Sequence, residues 1–236
     1  MLNKEIHTVV LTLRTGGDFS YRDIDVLARN IRKQWTKEYT LRIICLHDKV
    51  TSPYVLNNCI MYPTPYKEWK GWWTKMNLFA PEMEQFRPFL FMDLDTAIVN
   101  DISGVFPSSE NEGKFIALGN FKTNMLTTEL QSGLMWIPAK STTVTKIWDT
   151  WISNTSRHIK TFHKAGDQGF LRETVKAPEA YWQNLTNRIT SFKINHTGGW
   201  LKEIPNNISI VCFHGFPRIW EASKSINWIK EYTKWS

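Results

Sequence analysis

The sequence predicts an α/β fold with a central, mostly parallel sheet flanked by helices. Two stretches carry that prediction. The first fifty residues read as strand, Gly-rich turn, amphipathic helix and strand, a βαβ unit that implies parallel pairing and a right-handed crossover. Further on, the short apolar run Phe89-Leu90-Phe91-Met92 follows Arg87-Pro88. It has the character of a strand buried on both faces, as parallel sheets require.

In order, Val9 to Leu13 is the first strand and Arg14-Thr15-Gly16-Gly17-Asp18 the turn. Ser20 is a candidate N-cap. Ile24, Leu27, Ala28 and Ile31 recur at helical spacing, which predicts a helix from Tyr21 to about Lys37. Leu41 to Leu46 is the second strand. The turn is not G-x-G-x-x-G, so a dinucleotide fingerprint is absent, while a mononucleotide over the strand ends is allowed. Thr51 to Pro65 reads as a loop with a short strand near Cys59-Ile60-Met61. Glu68 to Lys75 leads into a helix that ends near Pro81. Extended segments are predicted at 97–99 and 115–119, with a short helical turn at 102–106, and Pro138 ends the apolar run Leu134-Met135-Trp136-Ile137. A mobile flap is predicted over Asn120 to Glu129. Thr142 to Ile152 and the segment opened by Gly166-Asp167-Gln168-Gly169 are helical, with Asp167 a possible N-cap. Residues 181–199 read as irregular. Ile208 to Phe213 is the last strand, and the tail Ile226 to Trp235 alternates Trp with Lys.

The chemistry concentrates where Phe89–Met92 runs into Asp93-Leu94-Asp95. In an extended chain, side chains at i and i+2 share a side, so both acids are expected to converge at the strand's carboxyl end. Two carboxylates there repel unless a positive group lies between them. A hard divalent cation with open positions for phosphate oxygens meets that need. An isolated D-x-D is more often a solvated turn, but here Thr96-Ala97-Ile98-Val99 resumes apolar sequence at once. Lys75, upstream, reads either as a phosphate clamp or as a solvent-facing helix lysine.

Composition narrows the class. The 236 residues are 42% hydrophobic and 22% charged, as expected for one globular domain. A net charge of +7 favours anionic partners, but the basic residues are spread out. A nucleic-acid binder would show a contiguous basic stripe, and a nuclease a further acid for a second metal, so no nucleic-acid partner is expected. No apolar run approaches bilayer length, and the N-terminus lacks the apolar core of a signal peptide. The three cysteines, Cys45, Cys59 and Cys212, have no metal-type spacing and read as reduced, pointing to a cytoplasmic chain. Twelve tryptophans suit core packing or stacking on sugars and bases. The Trp- and Lys-bearing tail is either a packed helix or a peripheral contact to the inner face of a membrane.

The motifs, taken together and in order, resemble the GT-A-fold nucleotide-sugar glycosyltransferases, in particular the family-8-like bacterial and phage members. The matching pieces are the N-terminal strand-Gly-helix unit, Gly71-Trp72-Trp73-Thr74-Lys75-Met76-Asn77-Leu78-Phe79, Phe91-Met92-Asp93-Leu94-Asp95-Thr96, Gln131-Ser132-Gly133-Leu134-Met135, Gly166-Asp167-Gln168-Gly169-Phe170 and Phe213-His214-Gly215-Phe216-Pro217-Arg218-Ile219-Trp220. The resemblance implies a GT-A (Rossmann-like) fold, Mn2+ or Mg2+, and a nucleotide-diphosphate sugar donor, with UDP the family default. It implies a glycan, lipid-linked or protein acceptor. It assigns Asp93, Asp95 and His214 to the metal, with Asp93 also at the nucleotide. Thr12, Leu13 and Arg14 go to base and ribose, Lys75, Gly215, Arg218 and Trp220 to the diphosphate region, and Gln131 and Ser132 to the donor sugar. Asp167 and Gln168 lie beneath the reacting carbon, a pair that leans toward retention. Better-known members place the histidine three residues before the glycine and a lysine at the basic site. Here Cys212 and Arg218 hold those positions. A non-catalytic nucleotide- or glycan-binding module on the same scaffold is the alternative reading.

Overall fold

A computed structural model describes residues 6–121, 129–194 and 199–234. The predicted βαβ unit is present as β1 (Ile6–Leu13), α1 (Tyr21–Lys33) and β2 (Thr40–His47), with β1 and β2 parallel along their whole length. Ser20 stands at the N-cap, where the Asp23 carboxylate accepts hydrogen bonds from its backbone N–H (2.7 Å) and hydroxyl (2.8 Å). The helix stops one turn before the predicted Lys37. The Gln34 carbonyl is taken by the Ile102 N–H at 3.1 Å. Trp35 turns aside to pack on His7 and Phe106, its indole N–H donating to the Tyr39 carbonyl.

The predicted loop after β2 contains a hairpin, β3 (Tyr54–Leu56) and β4 (Cys59–Pro63), turned at Asn57 with φ +44°. An Asn-Asn pair between short β-prone runs was the readable signal for it. Next come β5 (Phe89–Met92), β6 (Thr96–Ile98), β7 (Ile116–Leu118) and β8 (Gln131–Ile137). The helices α2 (Thr142–Ser153), α3 (Thr155–Thr161) and α4 (Gly166–Val175) follow. The chain continues through β9 (Ala180–Tyr181), α5 (Trp182–Leu185), β10 (Ile189–Ser191), β11 (Lys193–Ile194), β12 (Gly199–Trp200) and β13 (Ile210–Cys212). It closes with α6 (Ile219–Ala222) and α7 (Asn227–Thr233). Most of the predicted flap, residues 122–128, lies outside the described residues.

The main sheet has eight strands in the order β3-β4-β2-β1-β5-β8-β7-β9. Its centre, β4-β2-β1-β5, is parallel, whereas β5-β8 and β8-β7 are antiparallel. Both faces are covered. Val9, Leu11, Leu90 and Met92 join one core, while Val10, Phe89, Phe91 and Met135 join the other. All four β5 side chains are buried, as its unbroken apolar sequence requires. A second sheet, β10-β13-β6, packs Ala97, Val211 and Phe213 with Ile219 and Ile229 from α6 and α7. The tail helix therefore buries Ile229, and Trp228 donates its indole N–H to the Leu201 carbonyl at 3.0 Å. Among the described residues, no helix is long and apolar enough to cross a membrane. The three cysteines are buried and unpaired in disulfides.

One predicted α-helix is a different element. Gly71–Phe79 and Pro81–Phe86 are 3-10 helices. Thr74 donates its hydroxyl hydrogen to the Trp69 carbonyl. The buried Asn77 side chain bonds the Thr74 carbonyl and both backbone groups of Tyr66. Such side-chain bonds compete with the α-helical ladder.

Candidate active site

Sheet register assembles the site. Because β8 runs antiparallel to β5, its first residues stand beside the end of β5. The pairing Met92–Leu134 continues as a bond from the Asp93 N–H to the Gly133 carbonyl at 2.9 Å. That places Gln131 and Ser132 next to Asp93. The chain then turns at Leu94-Asp95 and enters the second sheet as β6. There β6 pairs with β13, and the Phe213 N–H bonds the Asp95 carbonyl at 3.0 Å, delivering His214 and Gly215 to Asp95. The expectation of a continuous pleat through Asp93 and Asp95 is thus corrected. Both acids line one cleft, but the turn gives each its own partners.

Asp93, 26% exposed, belongs to an inner cluster with Lys75 at 14% and Asp167 at 6%. Lys75, from the 3-10 helix, places Nζ 2.7 Å from Asp93 Oδ2, 3.3 Å from Ser132 Oγ and 3.5 Å from Asp167 Oδ2. Ser132 donates its hydroxyl hydrogen to Asp167 at 2.5 Å. Asp167 is not the N-cap of α4, a position held by Ala165. It lies in the first turn, 4% exposed, where the helix N-terminus favours a negative charge. Burial pushes the Asp93 carboxyl up to about 7 against the pull of Lys75, and Asp95 and Asp167 push the same way. Burial alone would lower Lys75, but Asp167 and Asp93 outweigh it and hold the ammonium above its ordinary value. Lys75 therefore bridges two acids at the cleft wall, 14% exposed, and is not a solvent-facing helix lysine.

Asp95 belongs to an outer cluster. Its Oδ2 accepts from the Gly215 N–H at 3.0 Å and from Arg218 at 3.1 Å. Arg218 also reaches Asp18, in the Gly-rich turn, at 2.6 Å. The guanidinium lies over the rings of Phe19 and Phe216, and its Nε is buried without a hydrogen-bond partner. His214 adopts φ +53°, an uncommon conformation for a residue with a side chain and one that concentrates at functional positions. Its Nε2 is buried without a hydrogen-bond partner. Burial lowers its pKa to about 4, against the pull of Asp95, so the ring is neutral near pH 7 with a lone pair to offer.

These groups line an open cleft of about 620 Å³. It gathers every predicted site residue (Thr12, Leu13, Arg14, Lys75, Asp93, Asp95, Gln131, Ser132, Asp167, Gln168, His214, Gly215 and Arg218) except Trp220. Trp220 lines a neighbouring cavity and packs edge-on against Phe19. It supports the Arg218 region through Phe19 and does not line the cleft. Sequence reasoning missed Asp18 and Trp72, which also line the cleft. Asp18 lay in a turn already singled out, but its partner Arg218 is distant in sequence.

The donor types suit a divalent cation: two carboxylates and an imidazole nitrogen lacking a partner. The described residues contain no ready-made group of three or more His, Cys, Asp or Glu side chains gathered for a metal. An ion would take Asp93 and Asp95 from Lys75 and Arg218.

No family model matches the chain, and no curated protein matches it. Solved structures do. The glycosyltransferase GlyE of Streptococcus pneumoniae TIGR4 aligns over 98% of this chain and 60% of its own, with TM-score 0.62 and 14% identity. The galactosyltransferase LgtC, in complex with donor and acceptor sugar analogs, aligns over 96% of this chain and 94% of its own, with TM-score 0.58 and 11% identity. Mouse xyloside xylosyltransferase 1 aligns over 89% of this chain and 98% of its own, with TM-score 0.54 and 11% identity. The chain spans about 60% of GlyE's length. At such identities the likeness establishes the fold, which is that of GT-A glycosyltransferases.

Proposed function

We propose that this chain is a metal-dependent glycosyltransferase. It moves a sugar, with retention, from a nucleoside-diphosphate sugar (a UDP-sugar by resemblance) to a glycan, lipid-linked or protein acceptor. The observation that carries this reading is the cleft at the carboxyl end of the parallel strands, where Asp93, Asp95 and Asp167 face Lys75 and Arg218. The fold shared with GlyE and LgtC supports it.

Glycosyl transfer expels a nucleoside diphosphate that gathers negative charge as the sugar bond breaks. Arg218 offers a planar fork of donors, already positioned, that can exchange Asp18 and Asp95 for phosphate oxygens. Lys75 adds a second fixed positive charge. Groups aimed at developing charge are commonly worth about 3 kcal/mol each in the transition state. A divalent ion held by Asp93, Asp95 and His214 would supply Lewis-acid neutralisation of the diphosphate. Retention is supported by the engagement of Asp167. A carboxylate committed to Ser132 and Lys75 makes a poor general base for an incoming hydroxyl. With Gln168 it can instead stabilise positive charge developing on the ring.

The test is turnover of a panel of nucleoside-diphosphate sugars, with and without Mn2+, followed by release of the nucleoside diphosphate. Metal-dependent release from one donor is expected. Nucleotide binding without release from any donor, with or without acceptor, would point to a non-catalytic binding module.

A further inference from the structure

The segment Trp69 to Trp73 holds three tryptophans with different fates. Trp69 and Trp73 are each 6% exposed and pack on Trp151 in the core. Trp72 is 49% exposed and lines the cleft. Gly166 explains how the indole is held. With φ +62°, it lies so close that a Cβ there would stand 2.9 Å from Cδ1, Cδ2 and Cε2 of Trp72. All three atoms belong to the five-membered ring, so the glycine backbone covers one flat face of the indole. About half of the residue stays exposed, on the cleft that Trp72 lines.

From this arrangement we infer that Trp72 is the stacking platform of an acceptor subsite, and that its ligand is a pyranose ring presented by a glycan. The inference rests on the glycosyl-transfer reading of the cleft and narrows its acceptor to a carbohydrate. An indole face is apolar and electron-rich, matching the C–H face of a pyranose. A cleft that orients a sugar also needs a few convergent polar groups. Asp167 and Gln168 follow Gly166 directly and line the same cleft. The Gln168 amide can both donate to and accept from a ring hydroxyl, whereas Asp167 is taken by Ser132 and Lys75. A ring stacked on Trp72 would lie beside the groups proposed to face the reacting carbon. The rigid support from Gly166 means little side-chain freedom is lost on binding.

The test is saturation-transfer NMR of methyl β-D-galactopyranoside and methyl β-D-glucopyranoside at millimolar concentration, with glycerol as the non-cyclic control. UDP and Mn2+ are present at saturation. Ring C–H protons of at least one pyranoside should receive saturation from the wild-type protein, and glycerol should not. Trp72→Leu should weaken the pyranoside about tenfold, the scale of losing one aromatic stacking partner, whereas Trp72→Phe should keep most of the binding. Leucine retains apolar bulk, so that pair of variants separates a flat platform from simple packing; thermal melts check that both are folded. The inference is overturned by absence of pyranoside binding to wild type, by unchanged binding to Trp72→Leu, or by pyranoside binding that is seen only in a parallel sample without UDP. A UDP titration of the wild-type melting temperature runs beside it. If UDP leaves the melt unmoved while a pyranoside still binds through Trp72, the transferase reading fails and the platform stands as a glycan-binding subsite.

Discussion

The two acids of the D-x-D motif are two residues apart in sequence, yet they live in different surroundings. Asp93 sits among Lys75, Ser132 and Asp167, where side chains are 6% to 26% exposed in the two ion pairs. Asp95 is itself 14% exposed and faces Arg218, 16% exposed, whose second partner, Asp18, is 57% exposed. The inner cluster is closed on itself, with one lysine shared between two acids. The outer cluster opens on the solvent-facing Gly-rich turn. The difference teaches that one short motif can divide its labour. The inner acid is tied into the structure, while the outer acid holds an arginine that is free to change partners.

Removing Lys75 tests the division most severely. Lys75→Ala leaves Asp93 and Asp167 without their cation in a buried setting, which typically costs about 3–5 kcal/mol. Chemical denaturation should show that loss together with loss of turnover. On the outer side, Arg218→Ala should cost less, about 1–3 kcal/mol of stability: it takes the cation from Asp95 where the two side chains are 16% and 14% exposed, but Asp95 keeps the Gly215 N–H and Asp18 returns to water. It should nonetheless weaken nucleoside-diphosphate affinity by about 10- to 100-fold, the scale of a lost charge-assisted contact. Equal stability losses for the two variants in parallel melts would erase the distinction.

A smaller effect sharpens the boundary of the site. His47 ends β2, an interior strand of the main sheet, and is 3% exposed, its Nδ1 accepting the Lys49 N–H at 3.0 Å. Burial lowers its pKa, with Asp48 opposing and Lys49 assisting. The folded state therefore prefers the neutral ring, and the unfolded chain binds the proton first as pH falls. The contribution is complete above about pH 6.5 and is lost as pH drops from there toward the depressed folded value. His47→Gln should flatten the stability profile over that window without moving nucleotide affinity. An unchanged slope in pH-dependent melts would contradict it.

Much of this was readable in the residues. The periodicity of Ile24, Leu27, Ala28 and Ile31 gave α1, and the unbroken run Phe89–Met92 gave the buried central strand. The locations of Asp93, Asp95, Lys75 and Asp167 in one cleft were legible because ordered motifs carried them. What escaped depended on the third dimension. Local periodicity does not say that β8 reverses direction beside β5, nor that the chain turns at Leu94-Asp95 to change sheets. Trp72 and Trp73 are adjacent, and the outward one is set by a 3-10 helix whose cause is Thr74 and Asn77 bonding to backbone. The Asp18–Arg218 bridge joins opposite ends of the chain, so neither local sequence announces the other.

The most direct measurement is the affinity for UDP by calorimetry, with and without Mn2+, for wild type and for the double variant Asp93→Asn, Asp95→Asn. The account predicts that Mn2+ strengthens wild-type binding at least about tenfold, as a cation bridging carboxylates and diphosphate would, and that the double variant loses the enhancement. Binding equally tight without metal, or an enhancement that survives the loss of both acids, would contradict it.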